Sequence, residues 1–113
     1  MTGVQTCALP IWYPDFRVVG EVFDADPGMV SFFQGGKARF DGVDSGVDAL
    51  FDFPLQAAVA KVFTDAAPTG GLAQTLAHDW LYVDPNRLVT FVDLHDLPRF
   101  MNAKNAKIGR AHV

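Results

Sequence analysis

The chain has 113 residues, of which 50% are hydrophobic and 19% are charged, a balance typical of a folded chain rather than a disordered one. Its formal net charge is −4, and its lysines and arginines form no cluster along the sequence, which argues against a nucleic-acid partner. A single cysteine excludes an internal disulfide, and no apolar stretch is long enough to span a membrane. These totals indicate neither a cellular compartment nor an oligomeric state.

The two ends of the chain resemble translated sequencing adapter. Residues 1–11 correspond to one strand of a common short-read adapter and residues 107–113 to its opposite strand, with both joints in frame. Segments of such origin are set aside before the fold is considered. We therefore predict adapter-derived tails at 1–11 and 107–113 around a protein-derived segment at 12–106. A pair of natural tails is the alternative.

A strand and a short helix are predicted at the start of the central segment. Residues 16–23 are a run of apolar and β-branched residues, which is typical of a buried strand. Asp26 and Pro27 have the pattern of an N-cap and a first helical residue, and Gly35 with Gly36 ends the helix. The four glycines and three aspartates between residues 35 and 48 then predict a long loop.

Two further helices and two further strands follow. Residues 49–53 predict a second strand, and apolar residues at helical spacing after Pro54 predict a second helix. Leu72, Leu76 and Trp80 predict a third helix, with Thr69 at its cap position. Residues 87–96 predict a third strand. This alternation indicates an α/β fold built from parallel βαβ units, whose sites lie at the carboxyl ends of the strands.

Two of the predicted strands end in ionisable side chains. Glu21, the only glutamate, lies next to Gly20 at the end of an apolar strand, where desolvation would favour the protonated form that a general acid needs. His95 and Asp96 end the third strand, and Pro98 predicts a turn that lets both side chains reach one site. The alternatives are a capping role for Glu21 and, at the second position, a structural histidine beside an aspartate–arginine ion pair.

No cofactor and no metal site are predicted. Gly35 and Gly36 are not followed by the lysine and hydroxyl residue of a phosphate-binding loop. Asp41, Asp44 and Asp48 lack the glutamate that would complete a calcium loop. His78 and Asp79, at the end of the third helix, are interpreted as surface residues or local caps.

Three motifs occur in order along the chain: Gly20-Glu-Val-Phe-Asp24, Asp48-Ala-Leu-Phe-Asp-Phe-Pro-Leu55, and Val89-Thr-Phe-Val-Asp-Leu-His-Asp96 followed by Arg99-Phe100. Together they resemble the second half of the catalytic barrel of the alpha-amylase family of glycoside hydrolases, family 13. The resemblance covers residues 18–102. It implies that this chain is an internal fragment of a (β/α)₈ TIM barrel, containing roughly strands five to seven with their helices.

The resemblance also implies a role for each site residue. Glu21 would be the general acid/base, Asp96 the carboxylate that stabilises the transition state, and His95 a ligand of hydroxyl groups on the same sugar. The substrate implied for the full-length parent is a starch-like α-glucan or a maltooligosaccharide. Leu94 stands where the family commonly has asparagine, which bears on substrate scope.

The family's nucleophile belongs to the fourth barrel strand, which this sequence does not contain. We therefore expect the chain alone to be inactive. A transglycosylase of the same family would differ only in its acceptor and subsite loops. A non-catalytic α/β binding or regulatory module, which would keep the motif residues for structural reasons, is the alternative from another class.

Overall fold

A three-stranded parallel sheet lies at the centre of the protein, in a computed structural model that describes residues 11–102. The strands are β1 (Val19–Gly20), β2 (Ala49–Phe51) and β3 (Leu88–Val89), arranged in the order β1-β2-β3. The predicted α/β class and the parallel strand order are confirmed. Apart from Ile11, the predicted adapter-derived tails lie outside the described residues.

Three α-helices connect the strands: α1 (Pro27–Phe32), α2 (Phe53–Thr64) and α3 (Gly70–Ala77). The predicted Asp26 cap explains where α1 begins. The Gly28 N–H donates to the Asp26 carboxylate at 2.8 Å, so one of the free amides at the start of α1 is satisfied. Thr69 occupies the predicted cap position of α3, but its hydroxyl makes no capping hydrogen bond.

Tight turns surround the third strand. Short 3-10 helices cover Asp79–Leu81, Pro85–Arg87 and Phe100–Asn102. Trp80 therefore lies in a separate turn and not in the third helix, because the chain leaves the α-helical conformation at His78. This corrects the predicted extent of that helix.

All three strands are shorter than predicted, because each pairs only where its neighbour is also extended. Residues 16–23 were expected to form the first strand, but pairing with β2 is limited to Val19 and Gly20. The second strand stops at Phe51, since Asp52 caps the helix that follows. The third strand was expected over residues 87–96, but Arg87 belongs to a 3-10 turn and pairing ends at Val89.

The core lies on one face of the sheet. Val30 from α1, Leu50 from β2 and Tyr82 are buried together, with Val22, Val47 and Leu88 packed against them. In the parallel register Leu50 pairs with Leu88, so both side chains point to this face. Val19 and Ala49 form the next pair and point to the opposite face, where the Val19 side chain remains 49% exposed.

A polar bridge joins the end of α1 to the turn before β3. The Gln34 side chain is buried; its amide donates to the Asp84 carbonyl at 2.9 Å, and its oxygen accepts the Asp84 N–H at 3.0 Å. Both polar groups of a buried amide are thereby satisfied. This pairing fixes the start of β3 relative to the first βα unit.

Candidate functional site

The carboxyl ends of the three strands meet at one edge of the sheet, and ionisable residues follow each of them. Glu21 directly follows β1, Asp52 directly follows β2, and His95 with Asp96 come six residues after β3 ends. Because β2 lies between the other two strands, β1 and β3 are about 10 Å apart across the sheet. We use the name carboxyl edge for the side of the sheet where the three strands end, as distinct from the two outer strands.

Glu21 is exposed at the carboxyl edge. The apolar strand end was expected to bury this carboxyl, and that expectation is wrong for this chain. The chain leaves the sheet immediately after Gly20, so no neighbouring strand covers the glutamate. Its backbone neighbour Gly20 is closely packed instead, since a Cβ atom there would lie 2.9 Å from a Val47 methyl group.

His95 and Asp96 lie in a turn and not at the end of a strand. The Leu97 N–H donates to the Leu94 carbonyl at 3.0 Å, which closes the turn around them. His95 Nε2 lies 3.2 Å from Asp96 Oδ2, with side-chain exposures of 78% and 53%. The strand prediction for these two residues was wrong, but the turn expected from Pro98 is present and leaves both side chains open to solvent.

Asp52 is a buried acid that the analysis of the sequence did not single out. Its side chain accepts the Leu55 N–H at 3.1 Å and caps α2, while its own N–H donates to the Val89 carbonyl at 3.0 Å. Burial raises the pKa of this carboxyl; the Leu55 hydrogen bond opposes the rise and the Asp79 carboxylate adds to it. The position of Asp52 two residues before Pro54 is the signal that identifies it as a cap.

Tyr82 is a second buried polar group close to these acids. Its hydroxyl has no hydrogen-bond partner among residues 11–102. Burial raises the pKa of the phenol, and the carboxylates of Asp52, Asp79 and Asp26 raise it further. The hydroxyl therefore stays protonated. The aromatic ring of Tyr82 contributes apolar surface to the core.

Aromatic rings pack together among the residues that follow the three strands. The Phe23 and Phe53 rings have centroids 4.4 Å apart, and Phe53 meets Phe91 edge-on at 5.0 Å. A cleft of about 340 Å³ is open beside them, lined by Phe23, Asp24, Ala25, Phe53, Gln56 and Ala57. The cleft thus combines an apolar wall with the exposed Asp24 carboxylate, and its lining does not include Glu21, His95 or Asp96.

Asp41 and Asp44 accept hydrogen bonds from backbone N–H groups within the 35–48 loop. Asp44 accepts the Gly36 N–H at 3.1 Å and the Gly46 N–H at 2.9 Å, and Asp41 accepts the Val43 N–H at 3.0 Å. Among residues 11–102, no three His, Cys, Asp or Glu side chains come together in a way that could hold a metal ion. In the same part of the chain, no helix is long and apolar enough to cross a bilayer.

No protein-family model matches this chain. It is 30% identical over 91 residues to a beta/alpha-amylase of Paenibacillus polymyxa. The chain is distantly similar to an amylase-type enzyme. The aligned region is 80% of this chain but 7% of that protein, so the chain spans a small part of its relative's length.

Proposed function

We propose that this chain is part of a retaining alpha-amylase-type glycoside hydrolase that cleaves α-glucosidic bonds in starch-like glucans or maltooligosaccharides. The supporting observation is that Glu21 and the His95–Asp96 pair follow strands β1 and β3 of one parallel sheet. Sites in such folds are built from the residues that follow the strands. The distant similarity to an amylase agrees with this assignment.

In this proposal the protein-derived segment forms strands five to seven of a (β/α)₈ barrel. The three parallel strands occur in chain order, with helices between them and the core on one face. In a TIM barrel the helices lie outside, so the Val19 and Ala49 face would line the barrel interior. β1 and β3 would then pair with neighbouring barrel strands.

The proposed roles follow from the chemistry of retaining glycosidases. Glu21 donates its proton to the glycosidic oxygen as the bond to the anomeric carbon breaks and a nucleophilic carboxylate forms the glycosyl-enzyme ester. Glu21 then takes a proton from water as that water hydrolyses the ester. Asp96 stabilises the positive charge that develops on the sugar ring, and His95 hydrogen-bonds the ring's hydroxyl groups.

The chain itself contains no residue that we assign as the nucleophile, so we expect no hydrolysis from it alone. The test is a chimera in which the aligned 91-residue region of this chain replaces its counterpart in the Paenibacillus polymyxa enzyme. Release of reducing sugar from soluble starch and maltooligosaccharides measures activity. Glu21→Gln should lower the rate by roughly 10²–10⁴-fold, the typical contribution of a general acid/base.

Asp15→Asn is the matched control, because Asp15 is exposed and precedes β1, at the opposite end of the strand from Glu21. It should leave the chimera active, whereas Asp96→Asn should inactivate it. An active Glu21→Gln chimera would refute the assignment of the acid/base. Sugar transfer to an added glucoside in place of hydrolysis would indicate the transglycosylase alternative.

A further inference from the structure

The turn that carries His95 and Asp96 is closed at its base by one carboxylate. Asp93 Oδ1 accepts the Phe100 N–H at 2.5 Å, and Asp93 Oδ2 lies 3.8 Å from Arg99 Nη1. Asp93 therefore joins the first residue of the 93–100 segment to its last two. His95 and Asp96 lie between these points, in the turn closed by Leu94 and Leu97.

The base of this segment is also attached to helix α2. The Phe100 ring meets the Phe63 ring edge-on, with centroids 6.4 Å apart. The Gln56 side-chain amide donates to the Val92 carbonyl at 3.4 Å. Phe100, whose N–H Asp93 accepts, and Val92, which precedes Asp93, thus attach the 93–100 segment to α2.

We infer that Asp93 is the positioning residue for the His95–Asp96 pair, an inference that rests on the proposed function for its relevance to sugar binding. The His95 and Asp96 side chains are 78% and 53% exposed, so packing does little to hold them. Their position depends on the backbone of the turn. A turn closed by a charge-assisted hydrogen bond keeps that backbone in one conformation.

The two contacts of Asp93 differ in strength, and this difference makes the inference testable. The Arg99 contact is long and the Arg99 side chain is exposed, so it contributes little. The hydrogen bond from the Phe100 N–H to Asp93 is therefore the contact that holds the turn closed. Asp93→Asn keeps an oxygen that accepts this hydrogen bond, whereas Asp93→Ala removes it, and Arg99→Gln removes only the weak ion pair.

Backbone ¹⁵N relaxation on the 113-residue chain tests the inference. In Asp93→Ala, order parameters of the amides of residues 94–97 should fall from about 0.85 to below about 0.6. They should stay high in Asp93→Asn and Arg99→Gln. Asp41→Ala is the matched control, because it removes a similar carboxylate hydrogen bond, to the Val43 N–H, from another loop.

Two results would overturn the inference. One is an Asp93→Ala chain in which residues 94–97 stay ordered, or in which residues outside 93–100 lose order to the same extent. The other needs no variant: the Phe100 amide of the unsubstituted chain should exchange with solvent at least about tenfold more slowly than in an unfolded chain. An unprotected Phe100 amide would mean that Asp93 does not hold it.

Titration with maltotriose separates this inference from the proposed function. If the ordered turn is the binding-competent state and Asp93→Ala reduces its population to about one third, the dissociation constant should rise about threefold. No response of His95 to maltotriose in the unsubstituted chain would count against the proposed function. The relaxation result would still decide whether Asp93 positions the turn.

Discussion

Asp52 shows how one residue has opposing effects on stability. As an N-cap it satisfies the Leu55 N–H, which favours α2. Its side chain is only 6% exposed, and burial raises the pKa of the carboxyl above 3.8. The ionised carboxylate is therefore disfavoured by the same fold that uses its oxygen as a cap.

Substitution at Asp52 should separate these two effects. Asparagine and alanine both remove the charge, but only asparagine keeps an oxygen that accepts the Leu55 N–H. We expect Asp52→Asn to be more stable than Asp52→Ala by about 1 kcal/mol, the typical contribution of an N-cap. Urea unfolding at neutral pH, followed by circular dichroism, measures the difference. Equal stability of the two variants would mean that the cap contributes nothing.

The pH dependence of Asp52 has a defined sign. Because its pKa is raised in the folded state, the folded chain binds this proton more tightly than the unfolded chain. Its contribution to stability is fully present below pH 3.8 and is lost as the pH rises through the higher folded value. The unsubstituted chain should thus lose stability relative to Asp52→Asn over the range above about pH 4, as the carboxyl ionises. A relative gain over this range would show that the charge is stabilising.

At the scale of elements, the junction between α1 and β2 depends on one close backbone approach. The Gly35 N–H donates to the Val47 carbonyl at 2.8 Å, which brings the two ends of the 35–48 loop together. A Cβ atom on Gly35 would lie 2.7 Å from the Val47 nitrogen and 2.9 Å from Gly46 backbone atoms. Backbone atoms cannot turn aside as a side chain can, so only glycine fits here.

Gly35→Ala should therefore destabilise the protein by roughly 1–3 kcal/mol, the usual cost of overpacking. Gly71→Ala is the matched control, because Gly71 lies in α3 and a Cβ atom there meets nothing within 4 Å. That substitution should stabilise the protein by about 0.5–1 kcal/mol through the higher helix propensity of alanine. Thermal unfolding of both variants measures this contrast. A Gly35→Ala chain as stable as the original would contradict the close approach.

The limits of the strands show why element boundaries were harder to predict than element types. The run at residues 16–23 has strand composition throughout, yet only Val19 and Gly20 pair, because β2 offers no longer partner. Phe53 has a high strand propensity and begins a helix, since Asp52 and Pro54 define a helix start around it. Capping depends on neighbours in sequence, whereas strand length depends on a distant partner.

For the whole molecule, the sheet leaves apolar surface uncovered within the described residues. Val19 points away from the core and is 49% exposed, and β1 and β3 form the two edges of the sheet in residues 11–102. Parallel sheets are normally covered on both faces, and exposed edge strands pair with other chains. Both features favour association between copies of this chain.

Val19→Lys should reduce this association. A charged side chain on an outer strand opposes pairing with a second chain, and it makes the exposed face of the sheet less apolar. Val43→Lys is the control, since Val43 is also exposed but lies in the 35–48 loop. Sedimentation at increasing concentration should show mass rising above 12.3 kDa for the unsubstituted chain and for Val43→Lys, but not for Val19→Lys. A chain that remains monomeric at every concentration would contradict this prediction.

The sequence by itself determined the α/β class, the order of strands and helices, and the Asp26 cap, because these depend on residues close together along the chain. It also singled out Glu21, His95 and Asp96. Only the tertiary structure decided that Glu21 is exposed, that Asp52 is buried and that Asp93 closes the turn carrying His95 and Asp96. Burial and turn closure depend on which distant segments cover a side chain, and local sequence pattern does not encode that.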